Sequence, residues 1–232
     1  MRNTNLFLAA LILALTVIFA LLAAGGALAQ RGQGGQGQGG GDMSSYVADL
    51  PVQDLSHEEQ AGLEFMFEEE KLARDVYLAL AEMWGTPIFS NIAASEQQHM
   101  DSVAALLDRY SVDVNTDSAP GVFANPELQA LYADLTSLGA QSLLDALIVG
   151  ATIEDLDIKD IQEYLAVTDN TDIMVVYQNL MKGSRNHLRS FAAQIENQGG
   201  TYAAQFLSQE EVDAILASDR ERGMVDENGD PV

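Results

Sequence analysis

From Ser56 onward, apolar residues recur at spacings of three and four over long stretches, and almost no stretch alternates as a strand would. A Ser56-His57-Glu58-Glu59 capping box predicts the start of a first helix, which runs to Trp84 and stops at Gly85. Its stripe is Leu63, Met66, Glu70, Ala73, Tyr77, Leu80 and Trp84, with Glu70 the only acid on it. Thr86-Pro87 reads as the N-cap and first residue of a second helix, reaching to about Tyr110. This stripe is Ile88, Ile92, Glu96, His99, Val103, Leu106 and Tyr110. So short a link forces an antiparallel hairpin. A third helix is predicted from about Ala140 to Val167 on Leu143, Leu147, Ala151, Glu154, Ile158, Ile161 and Leu165, with Asp157 one position off the stripe. A fourth runs from about Asp172 to Gln198 on Ile173, Tyr177, Leu180, Ser184, His187, Phe191 and Ile195, ending at Gly199-Gly200. Between the hairpins, Ser111 to about Ala140 is a long connection carrying a short helix that Asn125-Pro126 opens. A last short helix begins at the capping box Ser208-Gln209-Glu210-Glu211.

Hairpin, long crossover, hairpin is the order of a ferritin-like four-helix bundle, whereas a simple up-down bundle has three short loops. The expected fold is therefore all-α: two antiparallel helical hairpins joined by a long crossover with a short helix, plus a short C-terminal helix.

Polar residues on these stripes carry the candidate chemistry. Glu96 and His99, at i and i+3, place a carboxylate and an imidazole on one helical face. Turned into a bundle core, that pair is a recurring half-site of a two-metal carboxylate centre. Glu70 and Glu154 sit mid-stripe on the first helices of the two hairpins, and His187 on the last. Glu69 takes the place of Glu70 if the phase shifts by one, and Asp155 and Asp157 compete with Glu154. An inward carboxylate needs a partner, because burying it alone costs several kcal/mol or forces protonation. A metal ion is one partner; Lys71 or Arg74 is the plainer one for Glu70. For each histidine the plainer reading is a core imidazole bonded to a carbonyl. Counted from the hairpin turns, Glu70 lies 14 residues before Trp84 and His99 12 after Pro87, while Glu154 lies 13 before Val167 and His187 16 after Thr171. The offsets are under one helical turn. Four helices thus bring candidate ligands to one level, and metal binding is the favoured reading. The second Glu-x-x-His is incomplete, because Ser184 stands three residues before His187. Asp157 or water would fill the gap. Carboxylates with imidazoles suit iron or manganese, with zinc as an alternative. Tyr77, Tyr110, Tyr164, Tyr177 and Trp84 are candidate redox neighbours, with plain core packing as the rival role.

The ends and the charge set the context. Arg2, an uncharged apolar run from Leu6 to Ala24 and Ala27-Leu28-Ala29 predict a signal peptide over residues 1–29, with an uncleaved anchor as the alternative. Either places the fold outside the cytoplasmic membrane, periplasmic or secreted. Residues 30–46 read as a disordered Gly/Gln-rich linker, 47–217 as one domain and 218–232 as an acidic disordered tail. With no cysteine, disulfides and thiol nucleophiles are excluded. The net charge is −24, and removing 1–29 takes away Arg2 and no acid. Such a field repels nucleic acid and anionic lipid and attracts cations.

Four segments resemble one family. They are Glu68-Glu69-Glu70-Lys71-Leu72-Ala73-Arg74-Asp75-Val76-Tyr77, Asn91 to Met100 around Glu96 and His99, Ile153-Glu154-Asp155-Leu156-Asp157-Ile158, and Gly183 to Phe191 around His187. They are similar to the motifs of a bacterial and archaeal ferritin-like family catalogued as the domain of unknown function DUF2202. The resemblance spans about Leu55 to Leu216 and implies a ferritin-like fold. It imports no activity of the family's own. The wider superfamily of ferritins and rubrerythrins implies a di-iron or di-manganese centre on Glu70, Glu96, His99, Glu154 and His187, with peroxide reduction or Fe(II) oxidation as its chemistry, by analogy of fold. A metal-dependent oxidoreductase of ferroxidase or peroxidase type is the leading expectation. A non-catalytic metal- or partner-binding module of the cell envelope is the alternative, and a merely hydrogen-bonded polar core the third.

Overall fold

The computed structural model describes residues 43–113 and 119–232, and the expected signal peptide and most of the expected linker lie outside the described residues. Among the described residues seven helices follow one another: α1 (Met43–Asp49), α2 (His57–Trp84), α3 (Pro87–Arg109), α4 (Pro126–Gly139), α5 (Leu143–Leu165), α6 (Thr171–Asn197) and α7 (Gln209–Ala217). The only β pairing among the described residues is an isolated bridge between Val225 and Pro231. The protein is thus an all-helical bundle. No helix among the described residues is long and apolar enough to cross a membrane.

Local chemistry sets the helix ends. Ser56 and Glu59 form the reciprocal capping box of α2, and Ser208 and Glu211 that of α7. Gly85 ends α2 at φ 62°, a left-handed conformation open to glycine at little cost. Asn125 caps α4 by accepting from the Glu127 amide. α5 starts at Leu143 rather than near Ala140, because Ser142 accepts from the Asp145 amide and fixes the first turn there.

The four long helices pack α2 against α3 and α5 against α6, with α2 also on α5 and α3 on α6; α4 lies over α2 and α5. Their apolar residues make two clusters. One holds Leu72, Val76, Ile92, Leu147, Leu188 and Phe191. The other holds Leu63, Met66, Val103, Ile161, Tyr177 and Leu180. On α2, α3 and α6 the gap between the clusters falls at polar stripe positions, Glu70, Glu96 with His99, and Ser184 with His187, while on α5 Glu154 and Asp157 lie just before it, between Ile153 and Ile158 of the first cluster. A polar layer thus divides the core at mid-height.

Buried polar clasps hold the peripheral segments to this frame. Lys71, 1% exposed, donates to Asp75 at 2.7 Å and to the Ala119 and Val122 carbonyls of the crossover at 3.0 Å each. Asp75 also accepts from the Gly121 amide and from Arg74. Asp155, fully buried, accepts from the Tyr202 hydroxyl and the amides of Gln205, Phe206 and Leu207.

Two segments differ from the sequence reading. Met43 to Tyr46, placed in the linker, begin α1, whose Val47 is buried in the second apolar cluster. The acidic tail from Ser218 is docked along α6. Asn179 exchanges hydrogen bonds with the Val225 amide and carbonyl, and Arg185 and Arg189 both bind Glu221. The physical reason is a row of cations on the outer face of α6, which composition alone does not reveal.

Close approach of α5 to α6 depends on Gly150, where an added methyl would lie 2.4 Å from the Phe191 ring. Phe191 is fully buried, and close-packed interiors leave a ring little room to shift. Gly150→Ala should cost about 1–3 kcal/mol by urea unfolding. A loss below about 0.5 kcal/mol, the range of an unremarkable surface change, would mean that the interface yields freely.

Candidate metal centre

The polar layer gathers residues from four helices. α2 supplies Glu70, α3 supplies Glu96 and His99, α5 supplies Glu154 and Asp157, and α6 supplies Ser184 and His187. The three glutamates are each 2% exposed, and the imidazoles 12% (His99) and 9% (His187). His99 Nδ1 lies 2.7 Å from Glu96 Oε2 and 3.2 Å from Glu70 Oε2. His187 Nδ1 lies 3.0 Å from Glu96 Oε1 and 3.4 Å from Glu154 Oε2. Glu96 therefore serves both sides, one oxygen toward each imidazole. Two groups of ligand atoms result, Glu70–Glu96–His99 and Glu96–Glu154–His187, each with its atoms within 4.8 Å of one another. The rings stack at 5.7 Å between centroids.

Neighbours fix these side chains. Tyr77 donates from its hydroxyl to Glu154 Oε1 at 2.6 Å, leaving Oε2 turned toward His187. His99 rests on Gly183 of α6, where a methyl would come within 2.6 Å of Nε2. Ser184 donates to the Asp157 carboxylate and to the Leu180 carbonyl. Asp157 lies beside the centre and belongs to neither triad. Lys71 and Arg74 do not serve Glu70: both turn to Asp75, and Arg74 also to Gln97.

The residues fit a metal on two observations. Glu70 Oε1, Glu96 Oε1, Asp157 Oδ1 and His187 Nδ1 are buried without a hydrogen-bond partner. Glu96 Oε1 and His187 Nδ1 approach to 3.0 Å yet do not align as donor and acceptor, as atoms aimed at a common third point would do. The donor set, carboxylate oxygen and imidazole nitrogen, suits Fe, Mn or Zn. Without an ion, the layer must balance charge with protons. Burial raises the Glu70 and Glu154 carboxyls to about 7, despite the opposing pull of His99 and His187. Burial also raises Asp157 well above its ordinary range. For Glu96 burial acts upward too, but the two imidazoles outweigh it and hold the carboxyl below its ordinary value. Burial disfavours the charged imidazoles, and the facing glutamates overcome it, lifting His187 to about 10 and His99 well above its usual range.

Phase reading from the stripes reaches Glu70, Glu96, His99, Glu154, Ser184 and His187. It does not reach Asp160, buried on α5 beside the layer, because α5 is covered on nearly all sides. It gives Glu69 only as a substitute for Glu70, whereas both are buried. Of the aromatic candidates, Tyr77 touches a candidate ligand. Tyr110 binds Asp172, and Trp84 donates to the Gly139 carbonyl.

A profile for an uncharacterized protein domain, DUF2202, matches residues 59–219. The uncharacterized protein MJ0754 of Methanocaldococcus jannaschii is 53% identical over 184 residues, 78% of this chain and 99% of its own length. The crystal structure of the hypothetical protein MJ0754 from Methanococcus jannaschii DSM 2661 matches with a TM-score of 0.73 at 51% identity, covering 75% of this chain and 99% of that one.

The protonation pattern predicts the pH dependence of the metal-free fold. Glu70, Glu154 and His187 are all raised, so their stabilisation is full below the unfolded values of 4.5 for the acids and 6.5 for the imidazole. It drains as pH rises through about 7 for the acids and about 10 for His187. Glu96 is lowered, so its share is present above 4.5 and is lost on acidification. Metal-free protein should therefore melt higher at pH 5 than at pH 9, with Glu70→Gln flattening the slope between pH 4.5 and 7. A melting temperature that rises steadily from pH 5 to pH 9 would contradict this balance.

Proposed function

We propose, for a chain that belongs to the uncharacterized domain family DUF2202, that the buried layer is a metal centre of a ferritin-like bundle, working outside the cytoplasmic membrane. The observation that carries this reading is the sharing of Glu96 between two triads, each with one imidazole and two carboxylates. A satisfied polar core would pair each buried donor with an acceptor; this layer leaves Glu70 Oε1, Glu96 Oε1 and His187 Nδ1 unpaired. Iron is the preferred ion, with manganese or zinc as alternatives on the same donors.

Glu70 and His99 would hold one ion and Glu154 and His187 the other, with Glu96 bridging. Asp157, positioned by Ser184, stands where a fourth carboxylate is wanted once Ser184 replaces the glutamate of a second Glu-x-x-His. Tyr77 keeps Glu154 in one orientation. The apolar clusters on both sides of the layer exclude water from it. Loading requires His99 and His187 to give up their protons, so uptake releases acid and tightens with rising pH. A bound redox-active ion would supply electron transfer to peroxide or dioxygen, or the oxidation of Fe(II). The second reading is a metal-holding module without turnover, favoured by the carboxylate that Ser184 has replaced.

Anaerobic loading with Fe(II), followed by elemental analysis and an oxygen or peroxide challenge, tests both readings. We expect about two ions per chain, one for each triad, and loss of both in a Glu96→Ala/His99→Ala variant. Peroxide consumption or Fe(II) oxidation selects the oxidoreductase, while bound metal without turnover selects the module. No metal after loading, with an unchanged melting temperature, would leave only the hydrogen-bonded core.

A further inference from the structure

Acids on α5 lead away from the centre. Glu154, Asp157, Asp160 and Glu163 recur every third residue. Three residues turn a helix about 300°, so each acid stands about 60° round from the last and about 4.5 Å further along the axis. The row winds off the core face toward the C-terminal end of α5. Exposure follows it: Glu154, Asp157 and Asp160 are 2%, 6% and 7% exposed, and the Glu163 side chain 39%. Across the interface, α2 presents Glu69, 4% exposed. Glu69 faces Asp160 within hydrogen-bonding reach and lies in the field of Asp157 and Glu70.

This acid pair differs from the structural acids of the same fold. Asp75 and Asp155 are as deeply buried, and each is surrounded by donors. To Glu69 Oε2 no amide, hydroxyl or amine donates, and the same holds for Asp157 Oδ1. Two facing carboxyls in a helix interface pay desolvation and repulsion together, so apolar side chains of like size would hold α2 to α5 better. Neither Glu69 nor Asp160 belongs to a ligand triad. Two facing carboxyl groups from different helices, one of them with an oxygen that nothing satisfies, set between solvent and the centre, fit brief binding of a hard cation by oxygen ligands.

We propose that Glu69 and Asp160 form a staging site through which a divalent cation passes from solvent at Glu163 to the centre. At the mouth Lys159 pairs with Glu163, so an arriving cation displaces an ammonium already held there. The overall charge of −24 raises the local concentration of cations outside. Asp157, next along the row, receives the ion from Asp160 and passes it to Glu70 and Glu154. The proposal rests on the metal reading of the centre given above.

Stopped-flow absorbance with Co(II) as the probe tests it on the purified chain. Glu69→Gln/Asp160→Asn should load about tenfold more slowly, while the final number of ions and the equilibrium affinity stay within about twofold. Should that pair disturb the fold by circular dichroism, Asp160→Asn alone, at the solvent end, should show the same slowing. Equal loading rates in the variant and the unaltered chain overturn the staging site and leave the centre standing. Slower loading with an equal loss of affinity also overturns it, because the two acids would then act on the centre itself. If the unaltered chain takes up no Co(II), the metal reading falls and this proposal falls with it.

Discussion

Glu96 is one carboxylate facing two imidazoles in a layer closed off from water. The rest of the molecule can be understood as what that requires. Its oxygens must reach His99 on its own helix and His187 on another, so α3 and α6 must lie close and in fixed register. Gly183 makes the approach feasible, because a side chain there would collide with the Nε2–Cε1 edge of the His99 ring. The apolar clusters above and below then supply most of the stabilising burial while leaving the layer itself polar.

Buried acids in this bundle fall into two kinds by what faces them. Asp75, Asp155 and Asp172 face cations, hydroxyls or amides, and each pins a peripheral segment or a helix start. Glu70, Glu154 and Asp157 face mainly one another and the imidazoles. The first kind stabilises the fold in a form that water could hardly improve. The second kind is an electrostatic deficit in the metal-free state, held in place by the packing around it. Lys71 is instructive: the lysine beside Glu70 in sequence is drawn away to the crossover, so the layer receives no internal cation from it.

Much of this was legible in the chain. Spacings of three and four set the phase of every long helix, and the mid-stripe polar residues are those that the fold gathers. The capping boxes at Ser56 and Ser208 placed two helix starts to the residue. What escaped did so for physical reasons. Periodicity works by contrast between a wet and a dry face, and α5 is buried on nearly all sides, so Asp160 gave no signal and Asp155 showed only as a rival to Glu154. Glu69 and Glu70 are adjacent and both inward, because α2 meets α3 on one side and α5 on another. The tail looked frayed because its partners, Asn179, Arg185 and Arg189, lie on a helix far back in the sequence.

Asp155 stands next to Glu154, and its carboxylate is filled only by residues 202–207. The outer face of α6 is likewise completed only by residues 221–225. Both segments follow α6 in the chain, so they emerge after all four long helices during synthesis. The first hairpin carries Glu70, Glu96 and His99 but has nothing to set against them until α5 and α6 exist, and Asp155 of α5 itself waits for residues 202–207. Full satisfaction of these groups therefore comes only after the four long helices have been made. A chain that stops at the first hairpin holds only part of the polar layer, and the layer is a property of the two hairpins together rather than of either.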